Sequence, residues 1–235
     1  MKKRIVLFLF LINFSLNAQT VETVLSKLNT EYSSAKALQF ETKYNLYKNK
    51  TAKQVYETYS GVFKKNERNE IYQKIDKTEF ISSKKLSLNI IHPDELIIVS
   101  FSEPMNNSAF ELKKLLEFCK IKSFADKKNY WELTLESKPF SGLEYSEVVI
   151  QINKNYFIQK QLFYYNTAIN FSSDFSKQDI DLPVLEIIYT NFNRNKIEDS
   201  YFDVSKYIME SNKTIKPSKK YPRYTVEDQR EITIK

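Results

Sequence analysis

The chain has 235 residues, 36 basic against 29 acidic, a formal charge of +7, and only two glycines, Gly61 and Gly142. Average usage of about 7 % would supply roughly sixteen, and two so far apart exclude a phosphate-cradling loop, a dinucleotide fingerprint and a nucleophile elbow. Lysine and glutamate alternate rather than cluster, which argues against a nucleic-acid partner, and a single cysteine, Cys119, excludes an internal disulfide.

Lys2, Lys3 and Arg4 precede an apolar run from Ile5 to Phe14, and Leu16-Asn17-Ala18 places a small residue where signal peptidase cuts. The run is roughly half the ~20 residues a membrane span needs. Residues 1–18 therefore read as a cleaved secretory signal, with Gln19 as the mature start, a periplasmic destination and no transmembrane span in the mature chain. No lipidation cysteine follows the cut. Without the leader the count is 33 basic against 29 acidic, and about 217 residues remain, enough for one domain held together by packing alone.

Residues 20–36 read as an amphipathic helix, with Thr20 as N-cap and Val21, Val24, Leu25, Leu28, Tyr32 and Ala35 at helical spacing. From Leu38 the period becomes two: Leu38, Phe40, Thr42, Tyr44 and Leu46 face one way, Gln39, Glu41, Lys43 and Asn45 the other. Val55, Tyr59 and Phe63 repeat this after a polar turn. Further strands are expected at 71–75, 79–82, 86–91 and 96–101. A second helix is expected over 108–120, where Ser108 and Glu111 have capping-box spacing and Ala109, Leu112, Leu115, Leu116 and Cys119 share a face. Strands resume at 130–136, 145–152 and 157–165, the last two joined by a tight Asn153-Lys154-Asn155 link, and again at 184–192. Residues 172–181 read as a loop, and 224–234 as a terminal strand within an extension, 209–235. The fold class is α+β: one strongly curved antiparallel sheet, with helices 20–36 and 108–120 against its concave face.

No catalytic constellation emerges. His92, the only histidine, precedes Pro93 and reads as a solvated turn residue, and no second histidine or cysteine cluster completes a zinc site. Cys119 reads as a buried, inert thiol. Carboxylates are scattered over strand exteriors. The expectation is a protein that is not an enzyme and needs no metal or cofactor.

Helix, long meander, second helix and returning meander resemble the order in the periplasmic lipoprotein carrier LolA and its relatives. Ser60 to Lys65 (SGVFKK) is similar to that family's Gly-x-Phe followed by basic residues. Thr78 to Leu88 (TEFISSKKLSL) resembles its hairpin, and Ile187 to Phe202 (IIYTNFNRNKIEDSYF) its late strand and following segment. The likeness covers residues 20–208; the hairpin lacks the family's Asp-Gly and Trp, and its basic tripeptide stands here as Lys64-Lys65-Asn66. The resemblance implies a half-open β-barrel with an apolar concave face covered by helices, in a domain spanning 19–208.

On that resemblance, Leu38, Phe40, Tyr44, Tyr59, Phe63, Trp131 and Leu133 are expected to line one apolar concavity that binds a lipid or the acyl chain of a lipoprotein, each residue having ordinary core packing as its alternative. Lys64 or Lys65 would meet a lipid phosphate or hold the cover by a hydrogen bond; the alternative is a solvated lysine turn. The expected carrier is a monomer, with an envelope protein as a further partner. The contrasting expectation is an envelope interaction protein of the same fold with a filled interior.

Overall fold

The period of two that begins at Leu38 builds a single sheet of twelve strands, open at both edges. The computed structural model describes residues 19–102, 112–174, 176–211 and 214–230. The leader, the cap of the second helix at Ser108 and Ala109, and residues 231–235 lie outside them.

The first element, α1 (Val21–Ser34), starts as expected: the Thr20 hydroxyl accepts from the Thr23 N–H at 3.3 Å. A meander follows, β1 (Leu38–Tyr47), β2 (Glu57–Lys65), β3 (Ile71–Ile75), β4 (Thr78–Ser82), β5 (Leu86–Ile91) and β6 (Leu96–Phe101). Then come α2 (Leu112–Phe118) and β7 (Cys119–Asp126), β8 (Tyr130–Ser137), β9 (Tyr145–Asn153) and β10 (Ile158–Tyr165). An excursion holds the short pair β11 (Ile169–Asn170) and β12 (Ile180–Asp181) before the long strand β13 (Val184–Asn193). A hairpin, β14 (Ile208–Ser211) with β15 (Thr214–Pro217), and β16 (Thr225–Asp228) complete the chain.

Across the sheet the order is β16-β6-β5-β4-β3-β2-β1-β13-β10-β9-β8-β7. Every pair is antiparallel except β16 with β6, which is parallel. Two expectations need correction. The second helix does not run to residue 120: from Cys119 the backbone pairs with β8, Cys119 opposite Ser137, so a strand ladder overrides the helical spacing. Cys119 is buried, as expected, but on an edge strand, and burial pushes its thiol up. The 172–181 stretch is not all loop either, since Ile180 and Asp181 at its end pair with Asn170 and Ile169.

The sheet carries a separate core on each face. On one, Val24, Leu28 and Tyr32 of α1 pack with Leu38, Phe40, Phe63, Trp131, Leu133, Ile150, Ile158 and Ile187. On the other, Tyr72, Ile81, Leu88, Ile90, Ile97 and Val99 of β3–β6 pack with Ile197, Phe202, Tyr207, Ile208 and Ile215 of the C-terminal segment. The pleat explains the division. In β3 and β4 alternate residues serve opposite faces, so Tyr72 and Ile81 are paired on the tail side while Gln73 and Phe80 are paired on the helix side.

Candidate functional site

On the helix-side face, the register sets Leu38 opposite Lys65, Phe40 opposite Phe63, Thr42 opposite Gly61 and Tyr44 opposite Tyr59. The face continues through Tyr189, Ile187 and Leu185, which pair with Thr42, Tyr44 and Leu46, and then through β10, β9 and β8. This is one apolar surface of alternating residues, and it divides into two halves along the strands.

At the helix end, the surface is filled. Phe40 stacks on Phe63 with centroids 4.8 Å apart and meets Phe192 at 5.0 Å; Phe192 stacks on Phe157 at 4.6 Å, and Tyr32 is edge-on to Phe157 at 5.6 Å. The polar contacts of α1 fall here too. Lys65 Nζ donates to the Tyr32 carbonyl at 3.0 Å, the Ile158 N–H donates to the Tyr32 hydroxyl at 3.2 Å, and Lys27 Nζ donates to the Tyr156 hydroxyl at 3.0 Å. The Tyr32 carbonyl is one of the last four of α1, which have no partner within the helix, and α1 has no basic residue in its last turn. Lys65 supplies both the hydrogen bond and the positive charge from the neighbouring strand. Burial pushes its ammonium down and the Tyr32 hydroxyl up.

At the far end, beyond these contacts, the same surface is covered unevenly: Leu135 and Val148 are fully buried, but their neighbours are not. Tyr44, Tyr145, Phe163 and Leu185 are half-buried and pack against the core from its margin. Leu115 and Leu116 of α2 lie against the same core. Gly61 makes room for this arrangement: a Cβ there would lie 2.5 Å from Thr42 Oγ1, 2.8 Å from the Lys74 carbonyl and 3.3 Å from the Tyr44 ring. Tyr44 thus lies over the backbone of β2, its hydroxyl hydrogen-bonded with Thr42 and Gln73; burial outweighs these bonds and raises its pKa.

The structure therefore splits the predicted site. Leu38, Phe40, Phe63, Trp131 and Leu133 are buried in one core with Val24, Leu28 and Tyr32 of α1. Tyr44 belongs to the half-covered far end. Tyr59 shares its face but is exposed, and its hydroxyl, hydrogen-bonded with Glu57, is pushed up to about 12. The two lysines part company. Lys65 is buried on the helix-side face, and a solvated turn does not describe it. Lys64 points to the tail side, donating to Gln39 Oε1 at 2.7 Å with its ammonium 4.5 Å from the Tyr201 ring centroid. Sequence reasoning missed Tyr145, Phe163 and Leu185. The alternation signals Leu185, but bulges in β10 beside Lys160 and Tyr165 shift the phase of its neighbours, and no sequence pattern marks a bulge there.

His92 also needs correction. Its Nε2 lies 2.8 Å from Glu79 Oε1 and its Nδ1 2.7 Å from the Tyr224 hydroxyl, while Tyr72 and Tyr207 donate to Glu79 Oε2 at 2.9 and 2.7 Å. Burial works to raise the Glu79 carboxyl, but these bonds and the charge of Lys74 outweigh it and hold the group below its usual range. A turn histidine became half-buried because its partners come from β4 and from a segment more than a hundred residues later. The network ties the C-terminal segment to the sheet. Among the described residues no group of three or more His, Cys, Asp or Glu is placed to hold a metal, and no helix is long and apolar enough to cross a membrane. A polar cleft of about 210 Å³ between Asn66–Arg68 and residues 196–199 lies apart from the apolar face, crossed by the Arg68–Asp199 ion pair at 2.9 Å.

No family model matches the sequence, and no curated protein matches it. Solved structures do resemble it. An uncharacterized conserved protein from Thermus thermophilus is 10 % identical with a TM-score of 0.46, over 78 % of this chain and 93 % of that one. A LolA superfamily protein from Nitrosomonas europaea is 13 % identical with a TM-score of 0.35, over 79 % and 98 %. The Mycobacterium tuberculosis lipoprotein LppX is 6 % identical with a TM-score of 0.36, over 75 % and 98 %.

Proposed function

We propose that the chain is a non-catalytic carrier, exported by cleavage after Ala18, that holds the acyl chain of a lipid or lipoprotein against the far end of the helix-side face. One observation supports this most directly: Tyr44, Tyr145, Phe163 and Leu185 extend the apolar core at that end but are left half-buried. Burying an acyl chain is worth about 0.8 kcal/mol per methylene, so a short stretch of such surface gives useful affinity without a specific polar contact. Tyr44 and Tyr59 would meet the ligand directly. Leu38, Phe40, Phe63, Trp131 and Leu133 would join only if α1 moved aside, breaking the Lys65 hydrogen bond. Titration with a fluorescent fatty acid tests the proposal: wild type binds, and Leu185→Glu or Phe163→Glu abolishes binding in a protein that remains folded. A wild type that takes up no acyl probe ends the carrier reading. Mass spectrometry of the native N-terminus tests export, with Gln19 as the expected first residue.

A second reading has its own support. The rings around Phe40 are stacked as closely as in an ordinary core. If the far end is likewise closed in solution, the protein is an envelope interaction module acting through its surface, and the acyl probe decides between the two.

A further inference from the structure

The exposed large apolar side chains are not spread evenly. Val55 and Tyr56 precede β2, Phe140 lies between β8 and β9, and Ile180 and Leu182 lie between β10 and β13. These three connections stand at the same end of the strands, the far end. They also touch. The Tyr56 hydroxyl donates to the Phe171 carbonyl at 3.1 Å with the two rings 4.8 Å apart, Lys48 pairs with Asp179, and the Asn166 N–H donates to the Glu144 carbonyl at 2.9 Å. Together they form a continuous rim.

Phe140 is the sharpest member. It is 106 % exposed, and its φ of +61° is in the left-handed region. The turn from Lys138 to Ser141 is closed by the Ser141 N–H to the Lys138 carbonyl at 3.2 Å, which puts Phe140 at the second central position, where a positive φ ordinarily calls for glycine. A bulky aromatic held in a costly conformation with no protein contact in return points to a contact made outside the chain. Residues 47–56 and 137–143, which present Tyr56 and Phe140, contain Lys48, Lys50, Lys53 and Lys138 and no acidic residue; the third connection, 166–183, adds Lys177 against Asp174, Asp179 and Asp181, so the rim keeps a positive balance with Lys48 paired to Asp179.

We infer that this rim docks on the surface of a phospholipid bilayer containing anionic lipid. Apolar tips on separate loops suit a soft, deformable surface better than a protein partner, which would need one contiguous, shape-matched patch. Aromatic tips beside lysines match the interface, where rings sit at headgroup depth and each lysine gains from anionic lipid. The rim borders the half-covered end of the apolar face, but docking does not depend on the carrier reading.

The test is co-sedimentation of the chain from Gln19 onward, so that the apolar leader cannot itself carry binding, with vesicles of phosphatidylcholine alone or mixed with phosphatidylglycerol. Wild type should sediment with the mixed vesicles and be released by high salt. Phe140→Ser combined with Leu182→Ser should weaken binding about tenfold or more, the loss expected from removing two apolar side chains from the interface, with no fall in melting temperature. Phe140→Gly relieves the backbone and should weaken binding alone while raising the melting temperature. Acyl-probe uptake without vesicles should be unchanged in both variants, so carrier activity and docking can fail separately. A wild type that stays in the supernatant, or variants that sediment equally well, overturns the inference. So does self-association by light scattering that the variants abolish, which would make the occupant a second copy of this chain.

Discussion

The two faces of the sheet solve the same problem in opposite ways. On the tail side, β3–β6 present aliphatic residues that the C-terminal segment packs against, and a buried carboxylate, Glu79, receives donors from Tyr72, Tyr207 and His92. On the helix side, α1, with Leu115 and Leu116 of α2, covers a wider and more aromatic surface and leaves part of its margin half-buried. A core tied down through satisfied polar groups is built for stability. A core whose margin is left half covered sacrifices some burial, and that is where binding can occur.

Substitutions along the helix-side face should break the comparison most visibly. Phe40→Ala, under α1, should cost about 3–5 kcal/mol in denaturant unfolding, as expected for an aromatic removed from a packed core. Leu185→Ala, at the half-covered end, should cost clearly less, and it should weaken acyl-probe binding instead. Equal losses at the two positions would mean that the face is one uniform core.

The tail-side seal should show itself in acid. Glu79→Gln removes an ionised acceptor from Tyr72, Tyr207 and His92 and should cost about 1–3 kcal/mol at neutral pH. The folded carboxyl is held below its usual range. Its contribution is therefore full above the unfolded-state value and lost as pH falls through the lower folded value. Thermal melts across the acid range should show wild type losing its advantage over Glu79→Gln there. A constant difference at every pH would assign the Glu79 contribution to packing alone.

Much of this contrast was legible in the sequence, and the rest was hidden for definable reasons. The change of period at Leu38 and the Thr20 cap are local signals, so α1 and the meander were readable. The packing of Leu38, Phe40 and Phe63 together follows from alternation and the β1–β2 register. The tail-side core was not readable. Its partners Tyr207 and Ile215 lie beside and within a Lys- and Ser-rich stretch whose apolar residues are too sparse to show a period, and His92 looks solvated until Glu79 and Tyr224 are placed beside it. Strand β7 was missed because Leu112, Leu115, Leu116 and Cys119 keep helical spacing up to the residue where the β8 ladder takes over. The division of the helix-side face depends on where α1 ends its contacts, and no residue pattern encodes that.

The smallest expected effect tests whether α1 is a cover or simply core. The Thr20 side chain is exposed and its hydroxyl accepts from the Thr23 N–H at 3.3 Å, while the Val24 N–H donates to the Thr20 carbonyl at 3.1 Å. Thr20→Ala removes only the first of these and should cost about 1 kcal/mol. The loss falls at the N-terminus of α1, away from the Lys65 bond near its other end. If α1 must loosen for an acyl chain to reach Phe40 and Phe63, the easier opening should speed probe entry about fivefold, the rate equivalent of that energy. Stopped-flow fluorescence measures this directly. An unchanged entry rate with the stability loss in place would show that α1 stays seated, and that the half-covered end alone meets the ligand.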